Sequence, residues 1–407
     1  MLRRKSVLCA LCAGNGAIGT AAGRTAAAGL QRSFTSTAPR NVHITKFTPA
    51  SSPELDELLN TIRTKIILPS YLPQNQRKKI ASKKYEKTLQ ADPIIMEIDG
   101  EVFKFRHLDN TTDIPSTRHS VIQAISQFNA PQDFSNLVPL FEGIANTGYK
   151  FDEGFYCKII RIMGIRGHIT SIIECARRVK TTNFRLDTSE KVNNILHYVQ
   201  MMAIESEPER REIQIRKSLR WAELVIEMVQ EEDHEPRLTK DEVLVAGELP
   251  LDRDPMVLLA PLHLAALLAK YETAESELRD KIVDYAEDIV SLWPEQKKLR
   301  QVQPGELYGE EGPLAYLMEN NKFVIIATPL LHGLDSAIEY VEPALAEKLR
   351  SRRNILAGEI QEAMETHKAR LSAADREKPI LGEVIYGKFY GDESARGEDV
   401  YKKSYIL

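Results

Sequence analysis

From about residue 115 onward, apolar residues recur at three- and four-residue spacing in successive segments of 12 to 18 residues, the period of helices that bury one face. The pattern predicts helices over 189–203 and 210–232, the second carrying Trp221, followed by an acidic linker at 231–236. Asp254-Pro255 supplies a side-chain cap and a first-turn proline for a helix running to Lys270. Its core, 256–269, is nearly all apolar but holds Pro261 and His263 and falls short of the roughly 20 residues a membrane span needs, so it reads as a buried helix. An amphipathic stretch over 275–293 stops at Pro294. Pro304, Gly305, Gly309 and Gly312 mark a loop over 301–313, apolar packing resumes over 314–331, and 343–371 reads as a charged amphipathic helix.

Ahead of the helices the period changes. Residues 94–98 and 101–105 alternate apolar and polar positions around Asp99-Gly100, a pair that tolerates the positive φ of a two-residue turn, so they read as a β-hairpin.

The helical segments repeat at an offset of 35 residues. Phe151-Asp152 recurs as Leu186-Asp187; Ile125, Ile160 and Ile195 align. Phe128 aligns with Met163, Leu137 with Ile172, Val138 with Ile173, Ile144 with Val179, and Tyr149 with Phe184. Stacked helical hairpins produce such a period because one hairpin cannot cover its own apolar face. The unit from Phe151 through Gly164 and Gly167 to Asp187 resembles a pentatricopeptide repeat, with Tyr156 as the aromatic near the start of the first helix, Gly167 in the turn and Asp187 as the terminal aspartate. Residues 118–152 form an earlier unit and 188 onward a divergent later one. Base-reading members of that family place a small polar residue just after the aromatic. Here those positions hold Ile122, Cys157 and Val192, which cannot form a polar code for a base edge, so the repeats read as a scaffold.

Charge divides the chain further. The 54 Lys and Arg against 58 Asp and Glu give a formal charge of -4 over 407 residues, yet no acid precedes Glu54. Arg3, Arg4, Lys5, Arg24, Arg32, Arg40 and Lys46 lie among Ala, Ser, Thr and Gly, the composition of a mitochondrial transit peptide. Gln31-Arg32-Ser33-Phe34-Thr35-Ser36 resembles a matrix-peptidase site, and loss of 1–34 takes the charge to -9. Cys9 and Cys12 would leave with it, and Cys157 and Cys175 read as buried thiols in a reducing compartment.

Residues 61–90 hold eight basic residues against the single acid Glu86, an arm suited to RNA phosphates through Arg77, Lys78, Lys79, Lys83, Lys84 and Lys87. From Pro379 a tail carries Tyr386, Phe389, Tyr390, Tyr401 and Tyr405 among Gly, Lys and Asp, read as a partner-docking segment without a core of its own, the alternative being a tail folded back on its own helices.

Nucleotide-binding glycine loops, the Gly-x-Ser-x-Gly elbow and His-Glu-x-x-His are missing from the sequence, and its nine histidines lack ligand spacing and read as surface or helix-end residues. The expectation is therefore an all-α protein without cofactor or metal. Its fold is a pentatricopeptide-like α-solenoid with a small N-terminal β-hairpin and extended termini. The expected divisions are a transit peptide at 1–34, a basic arm with the hairpin at 35–114, repeats at 115–232, a further helical region at 233–378 and the aromatic tail at 379–407. Transit peptide, basic arm, acidic repeat body and aromatic tail together resemble accessory mitochondrial ribosomal proteins, particularly those of the fungal small subunit. The resemblance implies a noncatalytic matrix protein with ribosomal proteins and rRNA as partners, no membrane span and no small-molecule substrate. The alternatives are a free RNA-binding translation or maturation factor and a respiratory-complex assembly factor.

Overall fold

The computed structural model describes residues 44–109, 111–236, 245–271, 276–372 and 380–391. The proposed leader, with Cys9 and Cys12, and Tyr401 and Tyr405 lie outside these residues.

The expected all-α architecture with one small hairpin is what forms. Helix α1 (Pro53–Thr61) leads through a wide turn over Ile62–Ile67 to α2 (Gln74–Ala81) and α3 (Glu86–Ala91), then to strands β1 (Ile94–Ile98) and β2 (Glu101–Phe105). The strands pair antiparallel with Ile94 opposite Phe105 and Ile98 opposite Glu101. Asp99 and Gly100 both take positive φ, 52° and 77°, as the turn requires.

Helical hairpins follow. In the first, α4 (Thr117–Gln127) is followed, through the short α5 (Pro131–Phe134), by α6 (Leu137–Thr147). The second pairs α7 (Glu153–Ile165) with α8 (Ile169–Arg177), trailed by α9 (Val179–Thr182). The next three are α10 (Ser189–Ile204) with α11 (Arg211–Val229), α12 (Pro255–Ala269) with α13 (Ser276–Leu292), and α14 (Asn320–Ala337) with α15 (Pro343–Arg370). Helix α16 (Leu381–Tyr390) closes the described chain against α14. The first helices α4, α7, α10, α12 and α14 pack in chain order as one layer. Behind them α6, α8 and α11 pack in order, and α13 packs on α15, so the stacking runs on well past the region where the 35-residue period is visible.

The period marks the packing positions. Ile125, Ile160 and Ile195 are each fully buried, as are Leu137, Ile172 and Ile173. Tyr149 departs from it, 42% exposed where its counterpart Phe184 is sealed. Helix α1, capped by the Ser52 hydroxyl accepting from Leu55 N, lies with the Ile62–Ile67 turn against α4 and α6 and covers the outer face of the first hairpin. The segment before it is pinned by Asp133, whose carboxylate accepts from Ser51 N and Oγ at 2.7 and 2.6 Å and from Asn129 N and Ala130 N at 2.9 Å.

Two arginines close helix ends that would otherwise leave carbonyls unpaired. Arg166 donates to the carbonyls of Ile125, Ser126 and Phe128 at the end of α4. Arg352 donates to those of Val290 and Trp293 at the end of α13. The sealed tryptophan is Trp293, whereas Trp221 is half-buried.

Every residue of α12 is buried, which confirms the reading of 256–269 as an internal helix. Among the described residues no helix is long and apolar enough to cross a membrane. Gly333 of α14 lets α12 come close, since a Cβ there would stand 2.6 Å from the His263 Cβ and 3.0 Å from its Cα. His263 Nδ1 donates to Gln200 Oε1 (2.7 Å), and its Nε2 lies 3.0 Å from His332 Nδ1. His197 and His263 are thus internal, a correction to the reading of the histidines as surface or helix-end residues: helix stacking buries polar positions that periodicity treats as outward.

Candidate nucleic-acid interface

The basic arm folds around a core of its own, formed by Ile44, Leu68, Leu72, Ile80, Leu89 and Phe105 with Tyr71, Tyr85 and Phe103 against them. Proline at 69 and 73 breaks the chain before α2, and Ile80 is the one α2 residue that is buried. Its carbonyl accepts from Leu108 N at 3.0 Å and from His107 Nδ1 at 2.7 Å, so this ring is protonated at Nδ1. With α2 fastened by that single apolar residue, its remaining side chains are left to water.

Arg77, Lys78 and Lys79 stand on α2; Ser82 is extended (φ -95°, ψ 120°) and turns the chain so that Lys83 and Lys84 lie on a short 3₁₀ turn and Lys87 on α3. Arg77, Lys78, Lys83, Lys84 and Lys87 are exposed. None of the six makes an ion pair with a described residue; Lys79 and Lys84 instead lie 5.4 and 5.7 Å from the centre of the Tyr85 ring. The structure therefore brings all six candidate residues onto one small folded unit with their charges uncompensated. Two further cations of this unit, Arg63 and Lys46, are paired. Arg63 bonds Thr45 O and Glu101 at 2.9 and 3.2 Å, and Lys46 bonds Glu101 at 3.0 Å. The Lys46 hydrogen bond holds the Glu101 carboxyl below its usual range. Lys104 on β2 and Arg106 just after it are also exposed and free of ion pairs with described residues. The alternation of β2 carries that signal, but they lie beyond the dense 61–90 run.

The repeat face that base-reading proteins expose is closed here. Cys157 and Val192 are 1% and 0% exposed. The segment after α13 lies against this face: Tyr316, on a 3₁₀ turn over Ala315–Met318, has its hydroxyl 2.9 Å from both Ser189 Oγ and Asn193 Nδ2. Glu153, Glu190, Glu310 and Glu319 line the neighbouring cleft and would repel phosphate. Glu153, Cys157 and Glu190 place their donor atoms within 4.8 Å of one another. Burial, then Glu190 and Glu153, push the Cys157 thiol up to about 12, which keeps it protonated, and Arg161 (3.7 Å) and Lys322 (3.5 Å) occupy Glu190, so the trio is poorly suited to a metal.

The tail expectation requires correction for three of its five aromatics. Residues 381–390 form α16 and pack on their own chain: Phe389 is 8% exposed, its ring 5.2 Å from that of His332 and 6.0 Å from that of His263. The Tyr390 hydroxyl donates to Asp335 at 2.7 Å, and Tyr386 stacks on Tyr390. Lys388 pairs with Glu205 at the C-terminal cap of α10. Glycine and lysine dilute the apolar signal of this segment, and its partner surface lies far away in sequence.

A family model described as mitochondrial ribosomal protein mS27 matches residues 32–386 of the chain. The small ribosomal subunit protein mS27 of Neurospora crassa is 32% identical over 376 residues, an alignment that covers 88% of this chain and 92% of that protein.

Proposed function

The chain belongs to the mitochondrial ribosomal protein mS27 family, and from that premise we propose how it serves the ribosome. It is a structural component of the small subunit of the mitochondrial ribosome, supporting mitochondrial translation. The family implies a structural role, not an enzymatic one, and does not favour a free transcript-binding factor or a respiratory-complex assembly factor. Within this role the basic unit contacts rRNA phosphates through Arg77, Lys78, Lys79, Lys83, Lys84 and Lys87, and the acidic helical array faces neighbouring ribosomal proteins. The protein reaches the matrix by way of the acid-free leader 1–34. Tyr401 and Tyr405 are the tail aromatics left for docking to a neighbour.

The observation that carries the rRNA contact is the set of six cations held on a separate small core without internal ion pairs. A solvated helix face would tolerate acids among them, and α2 has none. Each phosphate neutralised releases counterions, so binding through them weakens steeply with salt. A variant with Lys78→Glu, Lys83→Glu and Lys84→Glu should keep the helical content of the array. It should leave small subunits at lower salt than the natural protein on a sucrose gradient. Equal retention at every salt concentration would refute the contact.

A further inference from the structure

The basic unit carries a groove of about 400 Å³ between α2 and the segment after β2. Its bed is apolar, from Pro69, Leu108 and Ile114 over the buried Ile80. Ile114 is half-buried yet packs into none of the hydrophobic cores of the described residues, so its apolar surface is left to the groove. Gln74, Arg77 and Lys78 stand along one side, all exposed, and neither cation has an ion pair with a described residue. The acids of the neighbouring loop are taken up locally. Asp109 accepts from Thr111 N and Oγ at 2.8 and 2.6 Å, Asp113 accepts from Asp109 N at 3.0 Å, and neither lines the groove.

Two free cations beside an aliphatic bed select an occupant with a full negative charge next to a flat apolar group. A duplex fits poorly: its phosphates could meet Arg77 and Lys78, but its bases are stacked inside, and Leu108 and Ile114 would face only charged backbone. An acidic peptide could offer carboxylates and an apolar side chain. The positive surface does not end at the groove, however: Lys79, Lys83, Lys84 and Lys87 continue it, with no acid on α2 and only Glu86 beyond. That surface calls for a charge at every link of the occupant, with an apolar group attached alongside, which is the covalent plan of a single nucleic-acid strand. Gln74 completes the match, since one amide presents donor and acceptor side by side, as a base edge does.

We propose that the groove holds an unpaired nucleotide of the rRNA, its base on Leu108 and Ile114, its edge at Gln74 and the adjoining phosphates on Arg77 and Lys78. The proposal rests on the reading of the basic unit as an rRNA contact and adds that the RNA there is single-stranded or bulged out, not helical.

The test compares three probes by fluorescence anisotropy on the purified full chain: a short unstructured RNA strand, the same strand annealed to its complement, and a glutamate peptide of equal charge. The single strand should bind about fivefold tighter than the duplex despite the higher charge of the duplex, and the peptide should bind weakest. Ile114→Ser, outside every core, should remove the preference for the single strand and leave duplex binding unchanged. Arg77→Glu with Lys78→Glu should weaken both RNAs by about tenfold or more, with folding of each variant checked by circular dichroism. In intact mitochondrial small subunits, ultraviolet cross-linking followed by digestion and mass spectrometry should place a nucleotide adduct on residues 107–118. A cross-link from that segment to a protein in place of RNA, an equally tight glutamate peptide, or equal binding of strand and duplex with no effect of Ile114→Ser would overturn the nucleotide site. In the last case, RNA binding that still falls with Arg77→Glu and Lys78→Glu leaves the phosphate contact standing. If neither RNA responds to the charge reversals, the rRNA reading of the unit fails together with the site.

Discussion

Gly333→Ala is expected to destabilise the array although it replaces glycine by the best helix former. In the interior of α14 the exchange by itself should gain about 1 kcal/mol. Against that, the added methyl would stand 2.6 Å from the His263 Cβ and 3.0 Å from its Cα, where ordinary contact begins at 3.4 Å. The His263 Cα belongs to the backbone of a helix buried on every side, so no side-chain rotation relieves the clash. The helices must part by a sizeable fraction of an ångström, and a gap of about 0.5–1 Å forfeits a quarter to a half of each dispersion contact along the seam. Overpacking of a core costs about 1–3 kcal/mol, with a backbone neighbour placing this site at the upper end, so the net loss should be about 2 kcal/mol. Gly358 on α15 is the control: it is helical, exposed, and a Cβ there meets nothing within 4 Å, so Gly358→Ala should gain about 0.5–1 kcal/mol. Thermal melting by circular dichroism should show a fall of roughly 4 °C for the first variant and a small rise for the second. Hydrogen exchange should place the loosening in α12 and α14. A Gly333→Ala protein that melts at or above the natural temperature would refute the close-approach argument.

Burial pushes the Asp133 carboxyl up, but its hydrogen bonds from Ser51, Ala130 and Asn129 outweigh this and hold it at about 2, below the unfolded value near 3.9. Because the folded value is the lower one, the stabilisation is complete above about pH 4 and is lost as pH falls toward 2. Asp133→Asn should lower stability at pH 7 by about 2 kcal/mol and flatten the acid limb in that window, as read by denaturant titration at several pH values; unchanged pH 7 stability would contradict it. Phe389→Ala should cost about 2–4 kcal/mol and raise proteolytic cleavage within α16, and resistance equal to the natural protein would argue against the seating on His263 and His332.

Where the physics is local, the sequence predicts well. The hairpin at Asp99-Gly100 forms as read because positive φ is a property of those two residues, and Asp254 caps α12 by accepting from Met256 N at 2.8 Å. The 35-residue period identifies true packing positions because stacked hairpins place Ile125, Ile160 and Ile195 in equivalent surroundings. It fades where later hairpins keep the stacking with different side chains, as α12 and α14 do around His263 and Gly333. Long-range complementarity is what the sequence hides. Arg166 and Arg352 read as surface charge yet close helix ends that lie some 40 to 60 positions away. The aromatics of α16 find their seat on helices that begin more than a hundred residues earlier and on α14. For the candidate interface, all six cations could be named from charge density. That they sit on an independent core could not, because Ile44 and Phe105 complete it from outside the basic run.

The fully buried α12 also sets an order in time. It precedes α13 and α14 in the chain, and α14 is the helix it packs against most extensively. While the chain is made, or threaded from its N-terminus, α12 must therefore wait for some fifty more residues before its last side is covered. In that interval α4 to α11 can already be stacked, with an apolar helix trailing from their end. The middle of the chain, not either end, is thus where unfinished protein is most prone to stick to itself, and where a chaperone would have most to shield.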